Sequence, residues 1–332
     1  MNLGSSVLEA LQSLGPPLPA SLHTQQAPHA LQTHPTSTLM PLTRSHHTPM
    51  RAASSRDPAE HWLVLEPNRI EKQYWKDLWR YRELFWILAW RDIAVRYKQT
   101  FIGVAWALIR PFLTMLVFTV IFGKLAKLPS QGDAPYPVLV FAGMLPWQFF
   151  STALSSCSES LIANANLLTK VYFPRLIVPA AAVITSFVDF LISFVILAGL
   201  MIWFQWWPTW RLLTLPFWVA VAFAASMGAG LWLASLNVQY RDFRYVVPFL
   251  VQFGLYVSPV GFSSAIVPEK WQLLYALNPM VGVIEGFRWA IIGRGLPINA
   301  MDFWLSIGIT ALLLFAGVRQ FRRMEKRFVD VI

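Results

Sequence analysis

Six long stretches of predominantly apolar sequence constrain what this chain can fold into. A helix needs about 20 apolar residues to cross roughly 30 Å of hydrocarbon. The stretches occupy residues 102–122, 138–158, 176–204, 212–236, 246–262 and 303–318. Only 13% of the chain is charged, against about 25% in a typical soluble protein. We therefore predict an all-α polytopic membrane protein with six transmembrane helices, which excludes an ordinary soluble enzyme and a disordered regulator.

The basic residues that flank these stretches predict their orientation. With residues 1–61 set aside, 17 Lys and Arg side chains lie on the side that carries both chain ends, and six lie in the opposite connections. Cytoplasmic loops of membrane proteins carry an excess of Lys and Arg. We therefore expect a multi-pass protein of the inner (plasma) membrane with both termini in the cytoplasm. The same bias explains the net charge of +10 without invoking nucleic acid.

The first 61 residues have a different composition. They contain eight prolines and all six histidines of the chain, and the first aromatic residue is Trp62. Proline interrupts helices, and a segment without aromatic residues buries too little apolar surface to offset the entropy of ordering. We predict a disordered Pro/Ser/His-rich tail over residues 1–61. A histidine metal tract and a translation start at Met40 or Met50 are alternative interpretations.

Residues 62–100 have the periodicity of an amphipathic helix. Apolar side chains recur at steps of three and four, with charged side chains between them; they are Ile70, Tyr74, Leu78, Tyr81, Phe85 and Leu88. Four tryptophans accompany them: Trp75, Trp79, Trp86 and Trp90. This pattern favours a cytoplasmic helix lying in the membrane interface, and a helix packed on a protein core is the alternative. Residues 101–319 then form the transmembrane domain, and residues 320–332 a basic cytoplasmic C-terminus.

The connection between the fifth and sixth stretches is unusually apolar for a loop. Two short apolar pieces, residues 271–277 and 281–292, are separated by Asn278-Pro279. Each piece is too short to cross a membrane, so the pattern predicts a re-entrant helix pair that enters from the outer side. We expect this pair to form an outer gate through Trp271, Asn278, Pro279, Phe287 and Arg288.

Motifs of catalysis are absent from the sequence. It contains no phosphate-binding loop, no HExxH, no GxSxG and no CxxC pair, and its one cysteine is Cys157. The apolar body contains no histidine, which removes the commonest general base and metal ligand. We therefore expect no catalytic residues, no metal site and no cofactor in this chain.

Two charged residues, Arg110 and Asp189, lie deep within the apolar stretches. Each costs about 2.5–3.5 kcal/mol to insert at a helix centre, so such residues usually face the interior of a bundle. Two interpretations are open: the two residues form a structural ion pair, or Arg110 receives an anionic headgroup. Aromatic side chains that stack on sugars would line the rest of a path, with helix packing as the alternative; the candidates are Trp106, Phe112, Phe249, Phe253 and Tyr256.

Several motifs, in order along residues 68–332, resemble a known family. Residues 91–106 read RDIAVRYKQTFIGVAW and precede Arg110-Pro111, and residues 166–175 read NLLTKVYFPR. Further similar positions are residues 141–147, 240–243, 278–279 and 287–288. The pattern is similar to that of the ABC-2 type permeases that export polysaccharides such as O-antigen, capsule or teichoic acid. The tail at residues 1–61 has no counterpart in that pattern.

The resemblance implies a homodimer with two separate ABC ATPase subunits, which would bind ATP and Mg, and a lipid-linked polysaccharide as substrate. It also implies that cytoplasmic segments couple to the ATPase through Arg91, Asp92, Arg96, Tyr97, Lys98, Lys170, Tyr172, Phe173, Pro174, Arg175, Arg241 and Asp242. An ABC-2 exporter of drugs or small lipids is the alternative within transport. A membrane glycosyltransferase and a passive scaffold or channel are alternatives from other classes.

Overall fold

The computed structural model describes residues 72–98, 101–127, 134–293, 300–325 and 328. These residues are almost entirely helical and contain no β-strand, which confirms the all-α prediction for this part of the chain. The predicted tail, residues 1–61, lies outside the described residues, as do residues 62–71 and most of the last seven residues.

The described residues contain eleven α-helices. Their bounds are α1 Lys72–Arg80, α2 Arg82–Lys98, α3 Phe101–Phe118, α4 Tyr136–Ala163, α5 Ala165–Lys170, α6 Ile177–Trp203, α7 Leu215–Gln239, α8 Phe243–Val257, α9 Glu269–Ala276, α10 Pro279–Ile292 and α11 Ala300–Glu325. The wider π-helical turns Thr119–Leu125 continue α3, and 3-10 turns span Trp210–Thr214 and Ser264–Ile266.

Five of these helical segments are long and apolar enough to cross a membrane. They are Leu108–Leu125, Tyr136–Ala163, Ile177–Trp203, Trp210–Gln239 and Phe303–Glu325. The remaining predicted stretch, residues 246–262, corresponds to α8, whose 15 residues span roughly 22 Å. This helix ends five residues earlier than predicted because Ser258 precedes Pro259, and a residue before proline is driven into extended geometry; Ser258 has φ −88° and ψ 149°.

Helix α4 is the centre of the bundle. It packs against α6, α7 and α10, and its side chains from Val138 to Trp147 are all buried. Serine hydroxyls in this core donate to the carbonyl one turn back along their own helix, as Ser226 does to Ala222 and Ser235 to Leu231. These hydroxyls are thus satisfied within their own helix, as an apolar surrounding demands.

Helices α7 and α11 approach each other closely through two glycines. A Cβ atom on Gly228 would lie 2.5 Å from the main-chain nitrogen of Leu314, and one on Gly317 would overlap the carbonyl oxygen of Gly228. Small residues allow two helix backbones to approach closely in a membrane. The position of α11 against α7 therefore depends on the absence of side chains at both sites.

Helices α1 and α2 form the described part of the predicted amphipathic segment. They are joined at Tyr81, whose main-chain N–H donates to Asp77 O and whose carbonyl accepts from Phe85 N. The predicted apolar side chains that are described pack against the protein core: Tyr74, Leu78, Tyr81, Phe85 and Leu88. The four tryptophans point away from it and are 49–72% exposed. The apolar stripe thus covers the bundle, and the tryptophans form the outward face.

Candidate functional site

A cavity of about 220 Å³ lies where the end of α2 meets α3, α4 and α6. It brings together residues that the sequence assigned to two different roles. Arg96 and Tyr97 come from the predicted ATPase-coupling set, and Arg110 comes from the predicted substrate path. The full lining is Arg96, Tyr97, Arg110, Pro111, Leu145, Gln148, Phe149, Ser151, Thr152, Asp189, Phe190 and Ser193.

Asp189, in the middle of α6, is held by two residues from the last turn of α2. A guanidinium nitrogen of Arg96 lies 2.7 Å from Asp189 Oδ2, and the Tyr97 hydroxyl donates to Asp189 Oδ1. Burial raises the pKa of the Tyr97 phenol, and the adjacent Asp189 carboxylate raises it further, so the hydroxyl remains a donor at neutral pH. The carboxylate is therefore neutralised from α2.

Arg110 does not form the ion pair with Asp189 that the sequence left open. Among the described residues, no carboxylate lies within 4.0 Å of the Arg110 guanidinium. The Asp189 carboxylate is paired instead with Arg96, on the neighbouring helix α2. The cavity wall thus carries two guanidinium groups and one carboxylate. Guanidinium groups offer planar, bidentate donors that match carboxylate and phosphate oxygens. This arrangement can receive an anion.

The polar wall contributed by α4 was missed by the sequence analysis. Gln148, Ser151 and Thr152 lie at helical spacing on one face and line the cavity. The Ser151 and Thr152 hydroxyls donate to the Gln148 carbonyl at 3.0 and 2.8 Å. Three polar residues at steps of three and four within an apolar stretch are the signal that could have identified this face.

The other predicted path residues lie outside the cavity. Phe249, Phe253 and Tyr256 follow one face of α8 at steps of four and three and are 57–66% exposed. The Phe249 and Phe253 rings stack with centroids 6.1 Å apart. Phe112, on α3, is also exposed. The side chain of Trp106 is outside the described part of the structure.

The predicted coupling residues divide into exposed and buried groups. Tyr172 is 66% exposed at the tip of the connection between α5 and α6, whereas Phe173 and Pro174 are buried beneath it. Lys170, Lys98, Arg241 and Asp242 are exposed as well. Arg91 contacts Asp92 and also donates to Asn164 Oδ1 at 2.7 Å. Because Asn164 immediately precedes α5, this bond joins α2 to the start of the exposed connection.

Arg175, at the end of that connection, contacts the last residue of α11. Its main-chain N–H donates to Glu325 Oε1 at 2.9 Å, and its guanidinium donates to the Glu325 carbonyl. The Tyr74 hydroxyl on α1 donates to the same Oε1 at 3.3 Å. Sequence reasoning missed Tyr74 and Glu325 as partners of Arg175. The available signal was that Glu325 is the one acidic residue between Arg319 and Arg327.

The predicted outer pair, α9 and α10, is built around a buried arginine. Arg288 is 1% exposed and donates to the carbonyls of Val260 and Phe262, both at 2.8 Å, and of Leu139 at 3.4 Å. The sequence had treated Arg288 as one of the cations of an outer connection. It is buried instead, because the non-helical segment after α8 presents carbonyls that need donors.

The remaining residues of the predicted gate occupy different environments. Asn278 caps α10 by accepting from Met280 N at 3.0 Å, and its amide donates to Ser258 Oγ at 2.9 Å. Pro279 occupies the first turn, where its missing N–H has no cost. Phe287 is buried against Phe190, whereas Trp271 is 53% exposed. Within the described residues, no group of three or more His, Cys, Asp or Glu side chains could hold a metal ion.

Comparison with known proteins finds similarity over most of the described helices. The family model described as ABC-2 type transporter matches residues 83–292, a range that includes every residue lining the cavity. The O-antigen export system permease protein RfbA of Myxococcus xanthus is 28% identical over 259 residues, which are 77% of this chain and 98% of that protein. RfbA of Klebsiella pneumoniae is 24% identical over 75% of this chain and 95% of that protein. The polysialic acid transport protein KpsM of Escherichia coli is 23% identical, over 71% and 91% respectively.

Proposed function

The chain belongs to the ABC-2 type transporter family, and on that premise we propose that it is the permease subunit of an exporter of lipid-linked polysaccharide, of the O-antigen or capsule type. The substrate would move from the cytoplasm across the inner membrane. The observation that carries this proposal is similarity over nearly the whole length of proteins named for O-antigen export and for polysialic acid transport, 98% and 91% of their chains.

The proposed topology has six spans and two cytoplasmic termini. The spans are α3, α4, α6, α7, α8 and α11. Because α8 is short, it crosses together with the segment up to Phe262, whose carbonyls are satisfied by Arg288 rather than left open to lipid. Helices α9 and α10, of 8 and 14 residues, are too short to span and form the outer re-entrant pair. The exposed tryptophans of α1 and α2 lie in the headgroup layer.

Energy comes from a separate ATPase in this proposal. The sequence lacks a phosphate-binding loop, so ATP and Mg would be held by two ATPase subunits bound to a homodimer of this chain. The exposed Tyr172 and Lys170, together with Arg241 and Asp242, supply the contact surface. Movement of these segments would rotate α2 against α3 and open a path at the dimer interface.

Arg110 is the proposed receptor for the negatively charged head of the carrier lipid. It lies on the first span beside the Arg96–Asp189 pair, and its guanidinium has no carboxylate partner among the described residues. A phosphate or diphosphate would gain charge-assisted hydrogen bonds from it. Arg96, in the last turn of α2, lines the same cavity. Rotation of α2 would move the Arg96 guanidinium and so change the charge close to a bound headgroup.

Aromatic side chains on α8 are the proposed contacts for the sugar chain. Phe249, Phe253 and Tyr256 form an exposed face that no part of the described chain covers. A second copy of the chain would place two such faces across a path. Flat rings offer stacking surfaces to the C–H faces of sugars without sequence-specific hydrogen bonds, which suits a polymer that slides.

The proposal is tested by complementation in a strain that lacks an O-antigen permease, with this chain and its own ATPase supplied together. Surface polysaccharide is measured at matched protein levels for the wild type, Arg110→Gln and the control Arg319→Gln, whose side chain is exposed on α11. We expect export from the wild type and the control and a loss of about tenfold in Arg110→Gln, the size of one charge-assisted hydrogen bond.

Two results would contradict separate parts of the proposal. Full export by Arg110→Gln would eliminate its role with the headgroup. A wild-type pair that restores no polysaccharide, yet moves a small lipid or drug in the same membranes, would replace the substrate class with that of the alternative exporter.

A further inference from the structure

Three distant segments meet at one carboxylate, that of Glu325. Its Oε1 accepts from the main-chain N–H of Arg175 and from the Tyr74 hydroxyl, and its own main-chain carbonyl accepts from the Arg175 guanidinium. Arg322, one turn earlier on α11, places its guanidinium 4.7 Å from the centroid of the Tyr74 ring. The end of α11 therefore binds both the start of α1 and the end of the connection between α5 and α6.

This junction lies directly behind the exposed tip of the connection. Tyr172 is exposed, and the two residues that follow it, Phe173 and Pro174, are buried. Closely packed side chains are hard to compress and transmit displacement. A displacement of Tyr172 is therefore transmitted to Arg175 through these two packed residues. Arg175 is bonded through both its main chain and its side chain, so the displacement continues into Glu325.

The opposite end of the same connection is also bonded to the amphipathic helices. Arg91 on α2 donates to Asn164 at 2.7 Å, at the beginning of α5. The segment from Asn164 to Arg175 is thus attached to α2 at its beginning and to α1, through Glu325, at its end. Both Tyr74 and Glu325 lie outside residues 83–292, the region that the family comparison matches.

We propose that Glu325 is a positioning residue that transmits movement of the Asn164–Arg175 segment to helix α1, and so coordinates α1 and α2 with the ATPase. This inference rests on the proposed function, in which that segment receives the ATPase. Without the carboxylate, the Arg175 N–H and the Tyr74 hydroxyl lose their shared acceptor, and the hydrogen-bonded link from Arg175 through Glu325 Oε1 to α1 is broken. Glu325 contacts neither substrate nor nucleotide in this role.

The test measures movement rather than export alone. The full chain is assembled with its ATPase in nanodiscs, and spin labels are placed at Trp79→Cys on α1 and Glu159→Cys on α4, both exposed positions. Native Cys157 is fully buried and stays unlabelled. The distance between labels is recorded without nucleotide and with the ATPase trapped by ATP and vanadate.

Three variants separate transmission from folding. Tyr74→Phe removes only the hydroxyl and keeps the ring beneath Arg322, Glu325→Ala removes the shared acceptor, and Glu325→Gln restores an oxygen acceptor. We expect nucleotide to shift the distance in the wild type and in Glu325→Gln, and the shift to fall by at least half in Tyr74→Phe and Glu325→Ala. ATP hydrolysis should continue while glycan exported per ATP falls about threefold or more, a typical size for lost coupling.

An unchanged shift in Tyr74→Phe, at wild-type thermal stability, would overturn the inference. So would the absence of any nucleotide-dependent shift in the wild type. Failure of the proposed function gives a different result, because the distance readout requires no glycan. Nucleotide would still shift the distance in the wild type, and by at most half as much in Tyr74→Phe, while no polysaccharide would be exported.

Discussion

The guanidinium of Arg96 lies 2.7 Å from the carboxylate of Asp189, and this ion pair joins the last turn of α2 to the middle of α6. The two residues are 93 positions apart in the chain, and their contact closes one side of the cavity that Arg110 also lines. Any rotation of α2 must therefore move a charge at membrane depth.

The ion pair should be measurable by a double-mutant cycle. Arg96→Gln leaves the carboxylate with Tyr97 alone, and Asp189→Asn leaves two guanidinium groups without a counter-charge. We expect each to lower the midpoint of thermal unfolding, and the double variant to recover part of the loss, with a coupling of about 1 kcal/mol. The matched control is Arg319→Gln, whose side chain is exposed on α11 and should contribute less. Strictly additive effects would show that the pair contributes no net stability.

Arg288 should be essential for folding. Replacement by Met would leave the carbonyls of Val260 and Phe262, in the non-helical segment, without their arginine donor, at about 1–3 kcal/mol each. Arg288→Lys should fail too, because one ammonium cannot reproduce the planar geometry of a guanidinium. Thermal unfolding in detergent and the folded yield measure the effect. Lys270→Met, at an exposed site on α9, is the control and should be near wild type. A stable Arg288→Met protein would refute this account of the segment after α8.

The contact between α7 and α11 should tolerate no added methyl group at Gly228. Gly228→Ala places a Cβ 2.5 Å from the main chain of Leu314, which must separate the helices and cost about 1–3 kcal/mol. Gly308→Ala is the matched control on α11, since its Cβ would meet nothing within 4 Å. There the change should stabilise the helix by up to about 1 kcal/mol. Equal stability of the two variants would contradict the proposed close packing.

The exposed aromatic face of α8 should affect transport more than stability. Phe249→Ala and Phe253→Ala remove side chains that are 65% and 57% exposed, so we expect unfolding temperatures near wild type. Export should decline with each change and fall further in the double variant, because sugars lose stacking surfaces. Phe315→Ala, equally exposed on α11, serves as the control in the same complementation assay. Normal export by the double variant would assign these rings to packing against lipid or a second copy.

The helical segments could be predicted from local sequence because their cause is local. A backbone in hydrocarbon must satisfy its own hydrogen bonds, so about 20 apolar residues in a row form a helix whatever lies beside them. The Ser258-Pro259 pair, read with the same attention, would also have predicted where α8 ends. Two residues of the candidate site could also be recognised from local sequence, because Arg110 and Asp189 are charged residues within apolar stretches.

Their partners were decided only by the tertiary structure. Asp189 bonds Arg96 and Tyr97 rather than Arg110, Arg288 is buried among carbonyls rather than exposed in a loop, and Glu325 joins Tyr74 to Arg175. These contacts connect residues that are 26 to 251 positions apart. Hydrophobic periodicity determines which face of a helix turns inward, but it carries no information about which helix stands opposite. Which helices are neighbours depends on how the whole bundle packs, and it determines which charged groups pair with each other.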